Sequence, residues 1–418
     1  MKRTNIDRPS ALVIELSPLI RTQALKVGMT FQDSALSLFQ RVVALAKGYL
    51  RCDVVIDRYF EHSLKENLRC KRGVGSRYVF KNDIEIPSDF KDNFLMNSAN
   101  KHDLGHYLAE KFTDFHSTTT NIPTFVCTHG NSILTNSNSL RNQTDINNCI
   151  SEEADQRILR HAINCAKNAF ERVEVLTVGT DVLMLVISYY SHLKSHNSSI
   201  SVFCGTGLGT ASIDYYNVRK IAAELGESIL RLHQVRHCFY GFSKTKFWNS
   251  MMESTNKRTY VNVFQTLGSR PTTILPEQVQ VLESYLLEVY YPNSEASSLD
   301  SERERPYVRL ANSNIRQLPV SVRGLTEHIK RACFQAGWLW QEAVNNSTVQ
   351  NPEEWDWILK DGRFVPNWQS NDGNIVDIHT AIQVCSNCKK TLCKKCKCKL
   401  TGMKCLPFCG CQRICPNK

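Results

Sequence analysis

The segment from Ser151 to Tyr190 admits few folds, because an acid-led helix pattern, a β-branched strand pattern and a second acidic turn follow one another without a break. Ser151-Glu152-Glu153-Ala154-Asp155 opens a stretch whose apolar residues Ile158, Ala162, Cys165, Ala166 and Ala169 recur at helical spacing. That spacing predicts a helix with Ser151 as N-cap and Glu152, Glu153 and Asp155 in its first turn. The run Val173-Glu174-Val175-Leu176-Thr177-Val178 predicts a buried strand. Gly179-Thr180-Asp181 stops it, and Val182 to Tyr190 continues as an apolar run. Asp181 therefore falls just past the carboxyl end of a strand, the edge at which open α/β sheets bind their ligands.

Two readings of these acids stay open. Carboxylates gathered from several strand ends repel one another, and a hard divalent cation such as Mg²⁺ or Mn²⁺ relieves that repulsion. Alternatively, acids in the first turn of a helix complement its dipole, each contributing about 0.3–1 kcal/mol, and need no ion.

The same grammar recurs upstream, where Val54-Val55-Ile56 ends in Asp57 and adds a further candidate carboxylate. Before it, Thr30-Phe31-Gln32-Asp33 predicts a capped helix with Leu36, Phe39, Val43, Ala46 and Leu50 facing inward. After it, Lys65, Arg69, Lys71, Arg72, Arg77 and Lys81 form a basic loop suited to phosphates or simply to solvent. A helix over Asn100 to Phe112, a strand over Pro123 to Thr128 and a polar loop near 129–148 follow. Ser201 to Cys204 predicts a strand, Gly205-Thr206-Gly207-Leu208-Gly209 a plain turn, and Val218 to Leu232 a helix. The stretch from His237 to Lys246 sets Lys244 and Lys246 beside a glycine turn, as a phosphate site or as ordinary helix packing.

Strands alternating with helices predict an α/β fold with a mostly parallel sheet covered on both faces, over residues 1–250. Residues 251–380 read as a helical region, with helices at Pro276 to Tyr290 and Val322 to Ala343. Trp338, Trp340, Trp355, Trp357 and Trp368 fall there, and aromatics so placed read as core. With 418 residues and 42% hydrophobic content the chain buries a full core. The apolar stretch Ala11 to Ile20 is broken by Glu15 and Pro18, and Val182 to Tyr190 is too short to span a membrane, so the expectation is a soluble intracellular protein.

The net charge of +11 is concentrated in the tail, residues 381–418, where nine Lys or Arg stand without a single Asp or Glu. Cys385, Cys388, Cys393, Cys396, Cys398, Cys405, Cys409, Cys411 and Cys415 crowd into the same stretch. Three tetrahedral zinc ions need about twelve ligand positions, which nine thiolates supply if three of them bridge. A segment this short has no apolar core, so metal supplies its folding free energy. Nine thiolates and three Zn²⁺ together carry about −3, which leaves most of the nine basic charges uncompensated and drawn to phosphate. Lys394, Lys395, Lys397, Lys399 and Lys404 are the candidate nucleic-acid contacts, DNA above all; a protein-interaction module is the competing use of the cluster.

In Cys393 to Cys415, with C-x-C pairs at Cys396/Cys398 and Cys409/Cys411, the tail resembles the CXC domain of the tesmin/TSO1 family, which implies a nuclear, zinc-binding, DNA-binding protein. This chain has one such repeat, with Lys395 where the family carries a tyrosine. Residues 50–250 resemble the PIN/5′-nuclease superfamily, and the whole chain resembles invertebrate proteins joining such a region to a CXC tail. The resemblance implies Asp57, Glu152, Asp155 and Asp181 as Mg²⁺ or Mn²⁺ ligands of a nuclease-like site. Gly179 stands where the motif carries an Asp, the Gly-Cys-Asp of the motif is missing around Arg236-His237-Cys238, and Ser243 replaces a glycine. Each lost carboxylate removes direct coordination of a catalytic cation. The implied protein is thus a nucleic-acid binder with a degenerate nuclease fold, and the alternative is a divalent-metal-dependent nuclease.

Overall fold

A computed structural model describes residues 9–59, 75–119, 122–147, 149, 153–208, 213–225, 243–267, 274–292, 294, 296–302, 320–334, 351–367 and 400. The chain divides into two compact units, residues 1–295 with 320–365, and residues 296–319 with 366–418. The nine tail cysteines, the tail lysines and Glu152 lie outside the described residues, as do Lys65 to Arg72.

The first unit is built on a seven-stranded, mostly parallel sheet in the order β4-β3-β2-β1-β5-β6-β7. Its parallel strands are β1 (Ser10–Glu15), β2 (Arg51–Val55), β3 (Thr124–His129), β5 (Arg172–Leu176) and β6 (Ser201–Thr206). Antiparallel edges are added by β4 (Ser132–Thr135) and β7 (Asp214–Asn217). The central strand is the one the hydropathy pattern hid: Ala11 to Ile14 are fully buried between β2 and β5, although Glu15 and Pro18 make the surrounding stretch look short and broken. The chain runs outward from β1 through β2 to β3, then returns to the other side of β1 through β5 to β6. The topological switch point therefore falls between β1 and β5, which is where the crevice of such a sheet opens.

Alternation along the strands feeds two cores. Leu12, Ile14, Cys52 and Val54 pack beneath α2 (Phe31–Leu45) and α3 (Ser98–Thr119), with Phe39 against Phe112 and Phe125. Ala11, Val13, Val55, Val173 and Val175 face the opposite layer, formed by α5 (Ala154–Lys167), α6 (Thr180–Ser188) and α7 (Tyr190–His196), with Val218 of α8 (Val218–Leu225). Two short helices, α1 (Leu16–Thr22) and α4 (Asn138–Arg141), complete the α/β layers.

Several sequence expectations are corrected. Thr30 and Asp33 do form the reciprocal capping box of α2, but the inward face is Ala35, Leu38, Phe39, Val42 and Ala46. Leu36 is exposed because the stripe follows the helical repeat from Phe31 and not from Leu36, and Leu50 is exposed past the end of the helix. The polar 129–148 stretch holds a strand and a helical turn, since Asn136 and Asn147 spend their side-chain amides on backbone groups of neighbouring strands and turns. Gly205 and Thr206 belong to β6 rather than to a turn, and Gly205 has no room for a Cβ beside Leu176 and Ile213. Helix α5 starts at Ala154 with Glu153 at its N-cap, not with Ser151, and Ala169 lies past its end at φ 59°.

In the helical part of the unit, α9 (Lys244–Glu253), α10 (Lys257–Thr266) and α11 (Pro276–Tyr290) gather Phe247, Tyr260 and Phe264 around the ring of Tyr285, whose hydroxyl donates to the Phe247 carbonyl. Helix α12 (Val322–Cys333), capped by Ser321, and a hairpin of β8 (Trp357–Lys360) and β9 (Arg363–Pro366) complete it. Trp355 is fully buried, as expected of a core aromatic. No helix among the described residues is long and apolar enough to cross a membrane.

Candidate functional site: an acidic crevice at the switch point

Each parallel strand next to the switch point ends in an oxygen-bearing side chain. Glu15 closes β1, Asp57 follows β2, and Thr177 follows β5 just ahead of Asp181 in the first turn of α6. Pairing of β1 with both β2 and β5, Glu15 opposite Val55 and Ile14 opposite Leu176, brings these ends to one edge.

Asp57 is the anchor. One carboxylate oxygen accepts the Ala154 amide at the start of α5 (2.9 Å), the other accepts the Ser17 hydroxyl of α1 (2.9 Å), and the Tyr59 hydroxyl lies 3.5 Å away. The acid that meets the amino end of α5 thus comes from β2 as well as from the helix's own first turn, where Asp155 sits half-buried. Behind Asp57, Arg157 donates from Nη1 to the Ile56 carbonyl (3.0 Å), while its Nε and Nη2 are buried without a hydrogen-bond partner. Burial holds that guanidinium below its ordinary pKa.

Glu15 is the edge carboxylate that sequence reasoning left out of the candidate site. It accepts the Thr177 hydroxyl at 2.5 Å. Burial pushes its carboxyl above the usual range, and the charges of Asp57 and Asp181 add to the rise against the hydrogen bonds from Thr177 and the Val178 backbone. The signal was present: Ala11-Leu12-Val13-Ile14-Glu15 has the form of Val54-Val55-Ile56-Asp57.

Glu15 therefore feels Asp57 and Asp181 as like charges, and Asp155 stands in the first turn of α5 beside the Ala154 amide that Asp57 accepts. Among the described residues no three His, Cys, Asp or Glu side chains already converge on one point as a closed ligand set. The donor chemistry fits a hard cation that keeps several of its waters, as Mg²⁺ does when held by one or two carboxylates. Gly179 is the N-cap of α6, with no side chain to add a further ligand. Lys244 opens α9 and the Lys246 amide donates to the Ser243 hydroxyl at 3.1 Å, so that helix start is capped by the chain itself.

No family model and no curated protein matches the chain. Among solved structures it is similar to the flap endonuclease of bacteriophage T5 in a pseudo-enzyme–product complex with DNA and metal ions, at 13% identity and a TM-score of 0.35, over 78% of this chain and 99% of that one. It is also similar to the same phage protein co-crystallised with metal ions, at 12% identity and a TM-score of 0.39, over 83% and 96% of the two chains.

Proposed function

We propose that the protein binds nucleic acid, using a nuclease-like α/β domain whose acidic crevice takes Mg²⁺ or Mn²⁺ against a phosphate backbone, and a zinc-ordered basic tail. The observation that carries this reading is the gathering of Glu15, Asp57 and Asp181 at the carboxyl ends of the strands flanking the switch point, where burial first and the charges of Asp57 and Asp181 second push the Glu15 carboxyl up. A hydrated divalent cation bridging carboxylates and phosphate would relieve that repulsion. In this reading Glu15, Asp57 and Asp181 hold the ion, Asp155 adds charge at the start of α5, and Ser17 and Thr177 fix the carboxylate rotamers. Such an ion supplies charge neutralisation to a phosphodiester. At the rim the Lys101 ammonium lies 4.6 Å from the centroid of the Tyr59 ring, beside Asp57.

Gly179 in place of a carboxylate points to binding with weak or absent cleavage. Glu15 favours a second reading, a metal-dependent nuclease, because it restores an acid to the edge. Incubating the purified protein with flap, hairpin and single-stranded substrates in Mn²⁺ decides between them. The expected result is Mn²⁺-dependent retention of nucleic acid with little product, and cleavage abolished by Asp181→Ala establishes the enzyme instead.

The tail reading, with Cys385 to Cys415 holding about three zinc ions and Lys394, Lys395, Lys397, Lys399 and Lys404 meeting phosphates, predicts steeply salt-dependent binding. Each phosphate neutralised on duplex DNA contributes a slope of about 0.9 in log affinity against log salt. Removing residues 385–418 should flatten that slope and weaken binding to unrelated duplexes alike. Equal affinity with and without the tail rejects this role and leaves a protein-interaction module.

A further inference from the structure

One strand over from Asp57, on the same carboxyl edge of the sheet, three histidines meet at the junction of α3 and the end of β3. His102, His106 and Glu110 are spaced four residues apart on α3, which sets them in one stripe. The rings of His102 and His106 lie 4.5 Å apart at their centroids. His129, the last residue of β3, reaches across: its Nε2 is 2.9 Å from His106 Nδ1 and 3.6 Å from Glu110 Oε1. Gly130 follows at φ 56°, and a Cβ there would meet the His106 ring at 3.2 Å, so the absence of a side chain is what seats that ring against His129.

We propose that His106, His129 and Glu110, with His102 alongside, form a site for zinc or another imidazole-preferring divalent cation that clamps α3 to the end of β3. The donor chemistry separates this site from the crevice: neutral imidazoles suit Zn²⁺ and its neighbours, whereas the carboxylate edge suits Mg²⁺ or Mn²⁺. Burial holds His106 below the ordinary histidine pKa, and the neighbouring His129 and His102 lower it further against Asp103 and Glu110.

The group is not closed around one point as it stands. Two imidazole nitrogens bound to one tetrahedral zinc at about 2.0–2.1 Å lie roughly 3.3 Å apart, so the 2.9 Å contact of His106 with His129 must open by a few tenths of an ångström. Glu110, whose side chain is 63% exposed, must swing inward to complete the set. Both are side-chain rotations that leave α3 and β3 in place. Without an ion the same pair is a hydrogen bond between two imidazoles, and that is the alternative to be separated.

The inference rests neither on the crevice nor on the tail, and its test is arranged to keep them apart. The full-length protein is equilibrated with micromolar Zn²⁺ and its bound zinc counted, for wild type, His106→Gln, His129→Gln and Glu110→Gln, with His116→Gln as control because His116 on α3 is engaged by the Ile122 carbonyl instead. Circular dichroism monitors folding. The expected result is one zinc fewer in the two histidine variants, a weakened last equivalent in Glu110→Gln, and the wild-type count in His116→Gln. A second readout, the imidazole ¹⁵N shifts of the wild-type protein, should move at two ring nitrogens when the last equivalent binds. An unchanged count in all three ligand variants, a loss equal in His116→Gln, or ¹⁵N shifts that respond to pH but not to zinc overturns the proposal. Should a histidine variant fail to fold, Glu110→Gln and the wild-type ¹⁵N shifts decide alone.

Discussion

Asp53 and Asp57 stand four residues apart on and just beyond the same strand, yet their surroundings are opposite in kind. Asp53 is fully buried and clasped by Arg51, Nε to Oδ1 at 2.7 Å and Nη2 to Oδ2 at 2.6 Å, with His161 of α5 at 2.6 Å. Arg51 in turn donates to Asn164, whose amide reaches Asp145. The same motif recurs on the other face of the sheet, where Arg172 and the hydroxyl of Tyr49 hold the buried Glu174. Asp57 is met by neutral donors, and its electrostatic neighbour Glu15 is pushed up by burial and by other acids. Burial alone would raise Asp53 as well, but Arg51 and His161 outweigh it and hold that carboxyl low. Charge matched within the sheet positions α5 and the 137–147 segment, whereas at the strand ends carboxylates stand close enough for Asp57 and Asp181 to add to the rise of Glu15.

The sharpest way to break this contrast is to remove one partner of the matched pair. Asp53→Ala leaves the Arg51 guanidinium buried and uncompensated and should cost about 3–5 kcal/mol in denaturant unfolding. Asp181→Asn at the crevice should cost nearly nothing. Equal losses for the two would mean that the edge acids are structural.

Acidification acts next. Burial, stronger than the pull of Asp53, holds His161 below the ordinary histidine pKa, and Asp53 is also lowered. For both groups the unfolded chain takes up its proton first. Stability is therefore full above the unfolded imidazole value, near 6.5, and drains as the pH falls from there toward the lower folded values. Unfolding free energy followed from pH 7 to pH 4 should decline, and His161→Gln should flatten the upper part of that decline.

The smallest effect has the opposite sign. Glu15 has a raised folded pKa, so its ionisation works against folding: the stability it contributes below the unfolded value is lost as the pH rises through the folded one. Glu15→Gln should raise the metal-free melting temperature at neutral pH modestly while weakening Mn²⁺ binding, a split that calorimetry with and without Mn²⁺ resolves. A loss of both would make Glu15 a packing residue.

Much of the fold was legible in the sequence wherever one face of an element governs its residues. The capping box at Thr30, the β5–turn–α6 run to Asp181 and the Pro276–Tyr290 helix follow from local propensity and period alone. The central strand was not legible, because a strand covered on both faces shows no alternation and its short apolar run is read together with the helix that follows. Nor were the buried pairs: Arg51 and Asp53 look like surface residues until β1, β3 and α5 enclose them. Composition and spacing determined by themselves that the chain alternates strands and helices, that acids stand at strand ends, and that cysteine and positive charge coincide in the tail. Only the tertiary structure decided which acids are clasped by a buried arginine and which crowd one another, because strand order at the switch point brings Glu15 beside Asp57 and Asp181 across 166 residues of sequence. Pairing of charges is a property of distance in space, and local sequence carries no term for it.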